Sequence, residues 1–213
     1  MIEFSLANKR PNVAVRIGAT RGQADIEPLV KQLAGFLTES AVVMNFSGIE
    51  AINSSYARAS VGWLLRCGML ARGGMLEHPE TDGVWAIRPI NLAQIVLRNL
   101  AGEVREEIDG LLRQPSFKLA CFEFRSPGAL AILGHLDAAL WDCLSKLYDF
   151  GGTATAPDLH KHNRREGVQI TAWNNRLSAL YVRMLVDRRK EGRFWVYRTV
   201  SKNIEPYGIQ VPT

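Results

Sequence analysis

Between Thr171 and Arg193 the chain gathers side chains suited to one chemistry, the recognition of a polyanion and of the base edges it carries. On a helix starting near Thr171, Trp173, Leu177, Leu180, Tyr181 and Met184 fall within one apolar sector. The opposite side presents Thr171, Asn175, Ser178, Ala179 and Val182, with Asn174, Arg176 and Arg183 on its flanks. Asn can pair with an adenine edge, and Arg with guanine or phosphate. A small, amide-bearing face at a helix N-terminus, bordered by arginines, therefore suits the major groove. Arg188, Arg189, Lys190 and Arg193 follow within a short hairpin, the spacing of a cationic loop beside a sugar–phosphate backbone. Lys161, Arg164 and Arg165, in the preceding turn, can clamp the phosphate opposite. Trp173 lies in the apolar sector and is assigned to the core rather than to base stacking.

Other candidate chemistry is sparse. Gly22, Gly73-Gly74 and Gly151-Gly152 lack the partner residues of a phosphate-binding loop. His160 and His162 would diverge by ~200° on a helix, a poor geometry for one metal. Cys67, Cys121 and Cys143 stand far apart, which argues against a disulfide scaffold or a multi-cysteine zinc site and for buried free thiols. Glu103, Glu106 and Glu107 suit an exposed helical face better than an acid/base pair. The expectation is a non-enzyme without metal or cofactor. Asn53-Ser54-Ser55 carries helix N-cap chemistry.

The chain has 213 residues, 47% apolar and 22% charged, a globular composition with room for two compact cores. No apolar run reaches the ~18 residues of a membrane span, and the start of the chain lacks a signal-peptide layout; a cytoplasmic, membrane-free protein is expected. The net charge of +5 is unevenly spread. Residues 1–150 hold 15 Lys and Arg against 16 Asp and Glu, whereas residues 151–213 hold 11 against 5. A basic field concentrated in the last 63 residues is what a polyanion responds to.

The elements that must position these residues follow from periodicity. Strands are predicted over Val13–Ile17, Ala41–Phe46, Val84–Ile90 and Phe117–Phe124. Helices are predicted from an Asp25 cap, after a Thr20-Arg21-Gly22 turn, to about Glu39, over Tyr56–Ala71, and over Asn91–Leu112 with a break at Gly102. This alternation predicts an α/β layered domain over 1–125, with Ser126-Pro127-Gly128 as a linker. Over 126–213 the predicted order is a helix at Leu130–Phe150, a Thr155-capped helix at Ala156–His162, a turn at Arg164–Gly167, a helix at Ile170–Val186, and then a charged Asp187–Gly192 turn leading into the strand Phe194–Tyr197. Helices followed by a glycine-tipped β-ribbon give an α+β winged order.

The stretches Ile170–Tyr181 and Leu185–Tyr197, with Thr153–Leu159 before them, resemble the recognition helix, wing and second helix of bacterial winged helix-turn-helix regulators. Val42–Ala57 resembles the strand–loop–helix signature of STAS-like domains, the fold of anti-sigma-factor antagonists. In that family a phosphorylated serine sits at a helix N-terminus, and Ser55 matches its position; Asn53, Tyr56 and Asn45 depart from the family pattern. Ser55 is thus a possible phosphorylation site or part of a helix cap. Together the resemblances imply an α/β STAS-like N-terminal domain for sensing or association, plus a winged helix-turn-helix that binds double-stranded DNA. The expected activity is transcriptional regulation by a homodimer, with a protein partner possible through the STAS-like domain. A partner-switching adaptor and a nucleic-acid-binding component of a defence or mobile-element system are the alternatives.

Overall fold

A computed structural model of the chain describes residues 2–6, 13–34, 40–74, 86–126 and 129–199. Five strands form the central sheet: β1 (Ile2–Ser5), β3 (Ser40–Asn45), β5 (Leu92–Arg98), β6 (Ala120–Ser126) and β7 (Ala129–Gly134), side by side in that order. The first four are parallel and β7 runs antiparallel to β6. A short parallel pair, β2 (Val15–Arg16) and β4 (Ala51–Ile52), stands apart.

Crossovers between parallel strands are helical, as the topology demands. Helix α1 (Ala19–Ala34) links β2 to β3, and α4 (Gly102–Arg113) links β5 to β6. A continuous helical stretch leads from β4 towards β5: α2 (Ser54–Ala57), a π-helical segment (Arg58–Gly62) and α3 (Trp63–Ala71). The C-terminal part holds α5 (Ala138–Asp149), β8 (Thr153–Ala154), α6 (Ala156–His162), α7 (Ile170–Val182), β9 (Asp187–Glu191) and β10 (Phe194–Arg198), with the ribbon ordered β8-β10-β9.

Side-chain parity explains why one sheet serves two cores. Along the strands, Val42, Met44, Ile95, Leu97, Cys121 and Leu133 point into a cluster with α1, α3 and α4. Their neighbours Val96, Ala120, Phe122 and Leu130 point the other way, into a cluster with Leu144, Leu147, Leu159, Trp173, Leu177, Leu180 and Tyr197. A sheet apolar on both faces must be covered on both. The C-terminal helices are the second cover.

Several elements differ from expectation. Asp25 is not a cap: α1 begins six residues earlier, and the Thr20-Arg21-Gly22 stretch is its first turn. Asp25 is buried and accepts from the Tyr56 hydroxyl at 3.0 Å, with Arg21 Nε at 3.0 Å and Arg16 Nη1 at 3.5 Å. Gly22 serves close packing, because a Cβ there would lie 2.7 Å from the Tyr56 carbonyl. The strand expected at Val13–Ile17 is confined to Val15–Arg16. Of the strand expected at Val84–Ile90, residues 84–85 lie outside the described residues and 86–90 are irregular. The strand is instead Leu92–Arg98, a central strand buried on both faces, whose mostly apolar run, interrupted by Gln94, also fits a helix. The helix expected over Leu130–Phe150 starts only at Ala138, where Asp137 accepts from the Leu140 N–H at 2.9 Å. Residues 129–134 return to the sheet as β7, so Ser126-Pro127-Gly128 joins two paired strands; Pro127 and Gly128 lie outside the described residues. The helix expected through Val186 stops at Val182.

All three cysteines are buried and free. Burial pushes the thiols of Cys67 and Cys143 up to about 12, and that of Cys121 also upward. The thiolate is the reactive form. A disulfide reagent at pH 8 is therefore expected to label none of them in the folded protein and all three in denaturant.

Candidate nucleic-acid interface

Helix α7 is placed by three buried anchors, Trp173, Leu177 and Leu180, each fully enclosed. A ring of charge holds its back against α5. Lys146 pairs with Asp142 at 2.7 Å and with Glu166, while Arg176 reaches Asp142 at 3.4 Å. The Lys146 ammonium and the Arg176 guanidinium both lie over the Trp173 ring, at 5.4 and 5.3 Å. Arg176, expected on the flank of the outer face, is instead turned toward α5.

The outer face opens at the N-terminal end of α7. Thr171, Asn174 and Asn175 are exposed, and Ser178 is half-buried. Ala179 and Val182, further along, are not part of an open ridge: Ala179 packs on the second core, and Val182 lies against Gly74. The exposed ridge is thus about two helical turns long.

The turn before α7 begins where α6 ends. Thr155 and Asp158 form a reciprocal cap at the α6 N-terminus, and Pro157 sits in its first turn. Asn163 Nδ2 donates to the Leu159 carbonyl at 2.9 Å, and His160 Nδ1 lies 2.9 Å from the Val168 carbonyl. These contacts hold a 3-10 turn, Arg164–Glu166, against the helices. Lys161, in the last turn of α6, and Arg164, in the 3-10 turn, project into solvent. Arg165 is in the same turn, and its side chain lies outside the described residues.

The hairpin completes the surface. Cross-strand partners share a face, so Lys190 with Trp195 and Arg188 with Tyr197 lie on one side, and Arg189 with Val196 on the other. Tyr197 is buried in the second core, so its side of the hairpin turns toward α7. Arg188 bridges the two elements: it lies over the rings of Tyr181 at 3.9 Å and Trp195 at 4.4 Å, and its Nη1 is 3.4 Å from Ser178 Oγ. Lys190 is exposed beyond it. Arg189, on the far side, pairs with Glu191. Arg193 sits at the tip, over the Phe194 ring.

The structure thus brings Ser178 and Arg188 into contact, places Lys190 on the same side, and leaves Arg189 on the opposite one. Sequence reasoning missed Trp195, which is 40% exposed. Its signal was available: an aromatic one step past a strand's buried Val196-Tyr197 pair extends beyond the core.

In the N-terminal part, Asn53 Oδ1 accepts from both the Tyr56 and the Gly18 N–H at 3.0 Å, so Asn53 supplies the cap. Ser55 is exposed in the first turn. Among the described residues no group of three or more His, Cys, Asp and Glu could hold a metal ion, and no helix is long and apolar enough to cross a membrane. Compared with known protein families, curated proteins and solved structures, the chain has no match in any of the three.

Proposed function

We propose that this protein is a cytoplasmic DNA-binding regulator, with a STAS-like N-terminal unit and a C-terminal winged helix-turn-helix that reads duplex DNA. The observation that carries the reading is the joint geometry of α7 and the β9–β10 hairpin: an exposed amide-bearing helix start beside a cation-bearing ribbon, bridged by Arg188. The element order, α5, β8, α6, α7, then a hairpin pairing back to β8, supports the winged-helix assignment.

In this reading Thr171, Asn174, Asn175 and Ser178 approach base edges. Lys161, Arg164, Arg188, Lys190 and Arg193 supply phosphate or minor-groove contacts, joined by Arg165 from its place in the chain. Arg176 belongs to the support of α7 instead, and Arg189 is a peripheral contact. One such module reads few base pairs, so a homodimer on a two-fold site is the expected assembly.

The test is a substitution that separates reading from adhesion. On a site selected from random duplexes, Asn175→Ala should cost about 1–3 kcal/mol of binding and leave affinity for unrelated duplex unchanged. Equal loss on both DNAs would remove Asn175 from base reading.

A second reading is favoured by one observation. Val13, Val15 and Ile17 are 39%, 51% and 64% exposed and line one side of the β2 segment, which leads through Gly18 to the Asn53 cap. Such an apolar stripe suits a protein partner and supports an adaptor in which the C-terminal unit also serves protein contacts. Binding to a protein partner without any affinity for duplex DNA would select it.

A further inference from the structure

We propose that Arg72 is a positioning residue through which the N-terminal unit fixes the corner between α7 and the hairpin, and with it the reading surface. The functional consequence rests on the DNA-binding reading; the mechanical claim stands on geometry alone.

Helix α7 ends in a reversal closed by two hydrogen bonds, from the Met184 N–H to the Tyr181 carbonyl at 2.9 Å and from the Leu185 N–H to the Leu180 carbonyl at 3.0 Å. This is the bonding of a Schellman stop, in which the residue between is usually glycine. Here it is Met184, with φ of +60°, a left-handed conformation that disfavours any residue carrying a Cβ. The side chain explains the choice. Met184 leaves the C-terminal cluster and is buried in the first core, among residues of the N-terminal unit. Its sulfur occupies the space above Gly68, where a Cβ would come within 2.2 Å of it.

Two neighbouring positions repeat the fit. At Gly74 a Cβ would lie 2.9 Å from Val182 Cγ1. Between the two glycines, the buried Arg72 side chain donates from Nη1 to the carbonyls of Tyr181 at 2.8 Å and Val186 at 3.0 Å, and its guanidinium lies over the Tyr181 ring at 4.3 Å. Asp187 stands 3.7 Å from its Nη2. A cation at the carbonyl end of a helix is favourably placed. One side chain thus grips both ends of the corner, the last turn of α7 and the residue that precedes β9.

The contacts continue outward. Arg188 packs on the same Tyr181 ring and on Trp195, so Arg72, Tyr181, Arg188 and Trp195 form an unbroken chain from the buried end of α3 to the exposed face of the hairpin. The helical stretch that ends at Arg72 starts at Ser54, about 27 Å away at 1.5 Å per residue. A displacement of that rod is delivered to the hairpin angle.

The experiment uses the full chain. Arg72→Lys keeps the charge and loses the planar guanidinium, whose Nη1 holds both carbonyls while Nη2 faces Asp187 and the plane lies over Tyr181. Amides of residues 187–198 should then exchange about tenfold faster, while those of α5 and α6 keep wild-type rates. Affinity for a selected duplex should fall by roughly two- to thirtyfold, with a smaller change on random duplex. Met184→Gly relieves the backbone and removes the plug, and should reproduce the exchange pattern. In the wild-type chain under sub-denaturing urea, the last turn of α3 and the hairpin should open along one isotherm, which decides the matter even if neither variant folds. Unchanged hairpin exchange in the folded variants, or separate isotherms in wild type, would overturn the proposal. Should wild type bind no DNA, the regulator reading fails and the exchange data still judge the latch.

Discussion

Trp173→Ala is expected to remove about 3–5 kcal/mol of folding stability, the cost of emptying a large, fully enclosed aromatic site. For a chain of this size that corresponds to a fall of roughly 10 °C in melting temperature. Trp173 is the pivot of the second core, touched from above by Lys146 and Arg176 and packed among α5, α6 and α7. The two cores share a sheet, so calorimetry of wild type should show one transition, and the variant one transition at lower temperature. A variant whose N-terminal part melts separately at the wild-type temperature would show that the two faces of the sheet are not cooperative. Trp173→Phe fills most of the space and should cost markedly less.

The second large effect is electrostatic. Reversing Lys190 and Arg193 together should weaken binding to every duplex by roughly sixtyfold near 0.1 M salt. Each lost phosphate contact takes about 0.9 from the slope of log K against log salt, hence about that much per decade below 1 M. Arg189→Glu is the internal comparison. Arg189 lies on the other side of the hairpin and is paired with Glu191, so its reversal should have the smaller effect. Fluorescence anisotropy with labelled duplex measures all three. An Arg189 effect as large as that of the pair would place the DNA on the opposite face.

The C-terminal part was the more legible from residues alone, for local reasons. Thr155, Pro157 and Asp158 write a helix start into four residues, and Ala156–His162 is helical as expected. The glycine pair after Phe150 stops α5. A ribbon is expected after α7, but its first strand reads as a turn from residues alone: Asp187–Glu191 pairs with Phe194–Arg198, and only Gly192-Arg193 turns the chain. Trp173 went to the core by periodicity and lies there. The errors fall where local pattern and tertiary context disagree. Leu130 and Leu133 continue the leucine spacing of α5, yet they pair with Phe124 and Cys121 in the sheet, and the Asp137 cap marks the true helix start. Leu92–Leu97 fits either period, and only its central place in the sheet decides. Asp25 reads as a cap because caps are local, whereas its partners Arg16 and Tyr56 come from separate elements. At the candidate interface, exposure of Thr171, Asn174 and Asn175 follows from helical spacing. The inward turn of Arg176, the far-side placement of Arg189 and the grip of Arg72 depend on contacts across the fold that spacing does not contain.

The most direct test of the central claim needs no knowledge of a target site. Full-length protein is titrated against random-sequence duplex DNA from low to physiological salt, and log K is plotted against log salt. Engagement of the hairpin and the α6–α7 turn through four to five phosphates predicts a slope of about −4. Absence of binding at 50 mM salt, or an affinity indifferent to salt, would contradict it.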